Sequence, residues 1–287
     1  MTELQALRDT YRQHKAALLA SLQAQGASTR GIHVLLRKFS RLADGLLTTL
    51  WQRAGLPPGL ALAAVGGFGR EQLFPHSDID VLVLLPTDLP APDTVREQVE
   101  AFIRSCWDAG LEIGSSVRSV EECLSEAAND VTVQTSLLEA RRVCGDAALF
   151  ARFEHQFGAQ LDPHAFLVAK TLEMRQRHTK HENTPYALEP NCKESPGGLR
   201  DLHLILWVAR AAGLGKCWDE LAHSGLATPY EVRQIQRNEA LLFLIRARLH
   251  AMAGRREDRL VFDLQTAVAE SFGYRTQSPE GARFPLR

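Results

Sequence analysis

The chain has 287 residues, 45% of them hydrophobic, with 33 Lys and Arg against 34 Asp and Glu and a formal net charge of −1. That length and apolar content can fill one large or two ordinary globular domains, while a near-neutral charge offers no overall field to recruit nucleic acid or an anionic membrane. No apolar run reaches bilayer length and the polar opening after Met1 lacks a basic-then-apolar leader, so the expectation is a cytoplasmic protein with neither nucleic acid nor membrane as partner.

In chain order, apolar residues recur at helical spacing from Leu4 to Gln23 and again from about Ser28 to Arg53. Ser28 or Thr29 is the expected N-cap of the second helix, and Gly55-Leu-Pro-Pro-Gly its stop. These two helices are expected to brace a sheet. An apolar run, Leu60 to Val65, ends in Gly66-Gly67, and a second, Ile79 to Leu85, opens with Asp78 and Asp80 at its mouth. This reads as strand, turn and strand, with a short helix from Gly69 to Phe74 in between.

Asp78 and Asp80 are two residues apart, and the side-chain period of a strand is two, so both carboxylates share a face. Like charges that close repel unless a cation lies between them. Magnesium, with manganese as an alternative, suits carboxylate oxygens together with substrate phosphates. Gly66 and Gly67 carry no Cβ to hold a triphosphate away from backbone N–H donors, and Arg70 and Ser77 flank them as phosphate ligands.

Beyond a proline-rich connection, Pro86 to Pro92, the pattern predicts a helix from Asp93 or Thr94 to Gly110 and a third strand over Leu111–Val117. A short helix over 121–128 follows, with a helical continuation at Val131–Gln134. A fourth strand is expected over Ser136–Val143. Helices are then predicted over 147–160 and 163–183, the second with Pro163 in its first turn.

Residues 183–198 lack any period and are rich in turn formers, which predicts a long, functional loop. It runs into an amphipathic helix from Leu199 to Arg210, with Leu199, Leu202, Ile205, Leu206 and Ala209 on one stripe and Arg200, Asp201 and His203 off it. Further helices are expected over 229–253 and 263–272, before an unpatterned tail over 277–287. The five cysteines contain no Cys-x-x-Cys pair and read as reduced, mostly buried thiols. His178 and His181, at i and i+3 without a third ligand, read as part of a solvated polar face.

Gly66-Gly67, a spacer and Ser77-Asp-Ile-Asp80 resemble the signature of the DNA polymerase β-like nucleotidyltransferase superfamily. The fuller wording, Val65-Gly-Gly-Phe-Gly-Arg70 with Phe74-Pro-His-Ser-Asp-Ile-Asp80, is similar to the bacterial PII uridylyltransferase family. So is Glu189-Pro-Asn-Cys-Lys-Glu-Ser-Pro-Gly-Gly-Leu-Arg-Asp-Leu-His203, whose core also resembles one in glutamine synthetase adenylyltransferases.

The resemblance implies an α+β fold. Its parts are N-terminal helices over 1–58, a small mixed nucleotidyltransferase sheet flanked by helices over 59–160, and an all-helical domain over 161–287. It implies a third carboxylate on a later strand, for which Glu139 is the leading candidate, Glu112 a second and Asp130 a poorer one. An ion pair of Glu139 with Arg141 or Arg142 is the structural alternative.

It further implies that Lys193 and Arg200 contact phosphates or base, against the alternative of a glycine-capped helix start with surface charges. The implied activity is metal-dependent transfer of UMP from UTP to a tyrosine of the PII signalling protein. The alternatives are adenylyl transfer to glutamine synthetase or another protein, and a non-catalytic nucleotide-binding module. The HD and ACT domains of that family have no counterpart in this sequence, so a shortened chain without uridylyl removal or glutamine sensing is expected.

Overall fold

The computed structural model describes residues 3–24, 28–88 and 92–274. Its elements are α1 (Glu3–Ala24), α2 (Ile32–Arg53), β1 (Ala61–Ala64), α3 (Gly66–Gly69), β2 (Ile79–Leu85), α4 (Pro92–Asp108) and β3 (Ile113–Ser119). Then come α5 (Val120–Asn129), α6 (Val131–Leu138), β4 (Arg141–Gly145), α7 (Ala147–Gln160), α8 (Pro163–Lys180), α9 (Leu199–Ala211), α10 (Trp218–His223), α11 (Pro229–Ala253) and α12 (Phe262–Ser271). The fold is α+β: a four-stranded sheet in the order β3-β2-β1-β4, flanked by helices and followed by helices alone.

The sheet is mixed. β1 runs antiparallel to both β2 and β4, while β2 and β3 are parallel. Alternation along β2 sends Ile79, Val81 and Val83 into one core, with α1, α2 and α4, and Leu82 and Leu84 into the other, with α5, α7 and Trp207. Asp80 has the parity of the second face. The first core takes in Leu199, Ala240, Phe243 and Leu244, so apolar packing runs from the N-terminal helices through the sheet into α9 and α11 across the expected partition at residue 160.

α2 shows how the sequence drives this. Leu36, Leu47 and Leu50 lie at helical spacing and are essentially inaccessible, as is Ala43. Burying each such leucine contributes about 1.5–3 kcal/mol. Elsewhere the ends are set by side chains. Ser119 and Glu122 form a capping box on α5, and Thr228 and Glu231 another on α11, whose first residue is Pro229.

Several expectations need correction. The N-cap of α2 is Gly31, with φ +85°, rather than Ser28 or Thr29. The short helix begins at the diglycine itself instead of at Gly69. The third strand starts two residues later than expected, at Ile113, and α10 has no counterpart in the sequence reading.

The larger difference is at 136–143, where a strand was expected. The Asp130 carboxylate caps α6 by accepting the Thr132 N–H at 2.6 Å, and the helix continues through Leu138. Glu139 falls at the helix C-cap, and β4 begins only at Arg141. A short apolar run serves a buried helix as well as a strand, and periodicity cannot separate them. On α9 the stripe is wider than predicted: His203 and Trp207 are buried while Ile205 is exposed. The expected tail over 277–287, and residues 89–91 of the proline-rich connection, lie outside the described residues.

Candidate active site

The Val65 N–H donates to the Asp80 carbonyl at 3.0 Å, which seats the Gly66 turn directly beside Asp80. Gly66 has φ +56°, a conformation that side chains with a Cβ rarely adopt, and an added Cβ would lie 3.7 Å from Asp80 Oδ2. On the other side, β3 pairs Gly114 with Asp80, and a Cβ there would stand 2.7 Å from Asp80 Oδ1. The strand register therefore carves a slot around one carboxylate.

Asp78 and Asp80 line the same cleft, of about 270 Å³, together with Gly66, Gly67, Arg70 and Ser77. Partial loss of hydration in the slot, and after it the Asp78 carboxylate, pushes the Asp80 carboxyl above its usual range, although the residue stays exposed to solvent. The opposite wall comes from the helical region. Lys193 and Arg200 line it, as expected from the loop and the start of α9. The structure thus brings all nine sequence-predicted residues, Glu139 included, to one cleft. Glu112 and Asp130 are not among its lining residues: Glu112 lies in a separate small cavity with Tyr11 and Lys15, and Asp130 caps α6.

Glu139 is only 3% exposed, and both its oxygens are engaged: one accepts from Arg70 Nη1, the other from the Trp207 indole N–H. It pairs with neither Arg141, which forks onto Asp44 at 3.0 Å, nor Arg142, which donates to the Gly145 carbonyl. The effect is to fix Arg70, whose Nε also donates to Gln72 Oε1 at 2.9 Å, over the Trp207 ring. Lys170 and Arg200 lie against the same indole, at 4.5 and 5.4 Å from its centroid.

The residues that the sequence reading missed are Lys170, Glu173, His203, Trp207, Arg246 and Arg256. With Arg70, Lys193 and Arg200, six basic side chains (70, 170, 193, 200, 246, 256) face four carboxylates (78, 80, 139, 173), an excess suited to a polyanion. One signal was available: Arg200, His203 and Trp207 sit at i, i+3 and i+7, one face of α9. Lys170 and Arg246 gave none, because each is one of several charged residues along a long helix and nothing local marks it out.

Polar contacts hold the helical wall in place. The Asn191 side chain accepts the N–H groups of Lys193 and Glu194 at 2.9 and 2.8 Å, and Glu194 in turn pairs with Arg200 at 3.1 Å. Asp201 receives Arg177, His178 and the Gly197 N–H, so His178 is a loop anchor rather than part of a solvated face. His181 lies 3.5 Å from the Ser195 hydroxyl.

On α11, Arg246 donates to Asp258 at 2.6 Å and stacks over Phe74. His250 Nδ1 accepts the His76 N–H, leaving Nε2 to donate to Asp258. Burial alone would raise the Asp258 carboxyl, but His250 and Arg246 outweigh it and hold it far below the usual range. Lys193 is shifted down from the ordinary lysine value by burial, then by Arg246 and Arg200. Of the cysteines, Cys106 and Cys123 are buried, Cys144 and Cys192 half-buried, and Cys217 exposed, against the expectation of mostly buried thiols.

Two carboxylates that meet in one cleft, Asp78 just before β2 and Asp80 within it, form an oxygen donor set that fits Mg²⁺ or Mn²⁺ with its remaining positions left to phosphates. No three His, Cys, Asp or Glu side chains converge among the described residues, which accords with Glu139 being occupied elsewhere. No helix among them is long and apolar enough to cross a membrane.

The family model for GlnD PII-uridylyltransferase matches residues 165–285. A bifunctional uridylyltransferase/uridylyl-removing enzyme of Burkholderia mallei (strain ATCC 23344) is 59% identical over 268 residues, 93% of this chain. One of Burkholderia pseudomallei (strain K96243) is 58% identical over the same share. The chain spans about 30% of the length of these curated relatives. The family-model match and this identity along nearly its whole length make the chain similar to a part of the PII-uridylyltransferases, in the stretch that carries the signatures at 65–80 and 189–203.

Proposed function

We propose that this chain is a nucleotidyltransferase that moves UMP from UTP to a tyrosine hydroxyl of a PII signalling protein in the cytoplasm, releasing pyrophosphate. The observation that carries the reading is the meeting of Asp78 and Asp80 with an excess of basic side chains in one cleft. The tyrosine hydroxyl gives up its proton to solvent, its oxygen bonds to the α-phosphorus, the bond from that phosphorus to the bridging oxygen breaks, and pyrophosphate leaves with the electron pair. The named activity of the relatives supports this choice among nucleotidyl transfers.

Asp78 and Asp80 would hold Mg²⁺ or Mn²⁺. When bound, the ion would neutralise phosphate charge and lower the pKa of a hydroxyl that ordinarily titrates near about 10. The chain's own groups do the rest. Gly66, Gly67 and Ser77 seat the triphosphate, and Arg70, Lys193 and Arg200 offset its charge. Glu139 is assigned as a positioning residue: it aims Arg70 into the cleft through a buried ion pair, in place of the metal ligation first expected of it.

Incubation of the 287-residue chain with magnesium, a PII protein and either UTP or ATP tests the proposal. A uridylyl adduct on a PII tyrosine, identified by mass, is the expected product. Preferential adenylylation, or nucleotide binding without pyrophosphate release, would overturn it.

A further inference from the structure

His203 has no part in the function proposed above, yet it is among the most deeply enclosed polar groups lining the cleft. It is 3% exposed, and neither ring nitrogen has a hydrogen-bond partner among the described residues. A buried donor and acceptor left unmade is destabilising, so an unpaired imidazole in a binding cleft marks a place where a ligand completes the bonding.

The surroundings indicate which part of a ligand. Burial, and then the positive charges of Arg70, Arg200, Arg246 and Lys193, hold the imidazole well below its ordinary pKa and therefore neutral. Those four cations supply the attraction that phosphate oxygens need, and a neutral ring adds little to it. One N–H donor and one bare nitrogen instead match an uncharged heterocycle edge, such as the carbonyl and N–H groups of a pyrimidine. The Trp207 ring lies beside it, centroids 5.7 Å apart, giving that end of the cleft an aromatic lining.

We propose that His203 contacts the base of the bound nucleoside triphosphate and contributes to its recognition. This rests on the reading of the cleft as a nucleotide site. It places the base toward α9 and the phosphates toward Gly66, Asp78 and Asp80.

The test is equilibrium binding, without turnover, of UTP and of inorganic triphosphate to the 287-residue chain in magnesium. Wild type is compared with His203→Leu and with His203→Asn, which restores a donor and an acceptor. His203→Leu should weaken UTP roughly 10-fold or more while leaving inorganic triphosphate unchanged, and His203→Asn should recover part of the loss. 2′,3′-Dideoxy-UTP should show the same dependence on His203. Equal weakening of UTP and triphosphate, or no weakening of either, would overturn the assignment, as would a loss that vanishes with the dideoxy nucleotide. Failure of wild type to bind UTP at all would instead sink the nucleotide reading beneath it. Thermal unfolding of the apo variants serves as the control: removing an unsatisfied buried imidazole should not lower Tm.

Discussion

The strand wall of the cleft, from Gly66 to Asp80, takes its geometry from backbone pairing, whereas the helical wall, from Lys170 to Asp258, takes it from side-chain charge pairs. On the first wall Val65, Asp80 and Gly114 are set by sheet register, and the Asp78 and Asp80 carboxylates carry little structural duty. On the second, Glu194, Asp201 and Asp258 each tie two or more partners, so the groups that shape the wall also support the fold. Substitutions on the strand wall should therefore cost chemistry without stability. Those on the helical wall should cost stability first.

The sharpest way to break this contrast is Asp80→Asn. Turnover should fall by about 10³-fold or more, because an amide cannot supply the charge that holds a divalent ion. Tm in the absence of divalent ion should hold or rise slightly, since a carboxyl with a raised pKa is disfavoured when ionised and its exposure to solvent keeps that effect small. A drop in Tm together with retained uridylylation would refute both halves.

Asp258→Asn probes the other wall. Breaking a buried pair to Arg246 and His250 should cost about 3–5 kcal/mol in urea unfolding. The acid limb gives the sign. The folded-state pKa of Asp258 is depressed, so its contribution is fully present above the unfolded value, near about 4, and is lost as pH falls below it toward the folded value. The variant should lose less stability than wild type over that window, and identical acid limbs would remove Asp258 as an anchor.

Gly114→Ala is a smaller and more discriminating change. Its Cβ would meet the Asp80 carboxylate at 2.7 Å, and the flexible end of that side chain can move away. Turnover should fall by roughly 10- to 100-fold with Tm nearly unchanged, as expected when a positioned group shifts by a fraction of an ångström. A large loss of Tm would show that the strand wall is as structural as the helical one.

Smallest of all, Arg256→Ala removes an exposed pair with Asp78, whose side chains are 59% and 50% accessible. Stability should stay within about 0.5 kcal/mol by denaturant unfolding. A larger loss would place Asp78 in the fold rather than in the cleft.

Much of the strand wall was legible from residues alone. Asp78 and Asp80 sit two apart at the mouth of an apolar run, Gly66-Gly67 breaks the preceding one, and both facts depend only on local periodicity. Glu139 was found by resemblance and misplaced in structure, because Ser136–Leu138 is apolar enough for either a strand or a buried helix and the capping carboxylate of Asp130 decided for the helix. Its partners, Arg70 and Trp207, stand 69 and 68 residues away. Nothing in local pattern connects positions so distant.

The amino-acid order determined by itself what backbone periodicity and side-chain chemistry can encode within a few residues: most of the strands and helices, the paired acids and the glycine turn. Tertiary structure alone decided which charges meet. It gave Glu139 to Arg70 and Trp207, gave Asp258 to Arg246 and His250, and left His203 without a hydrogen-bond partner in the cleft among the described residues. The reason is that a charge's partner is chosen by through-space distance and desolvation, and these arise only when segments far apart in the chain close on a common core.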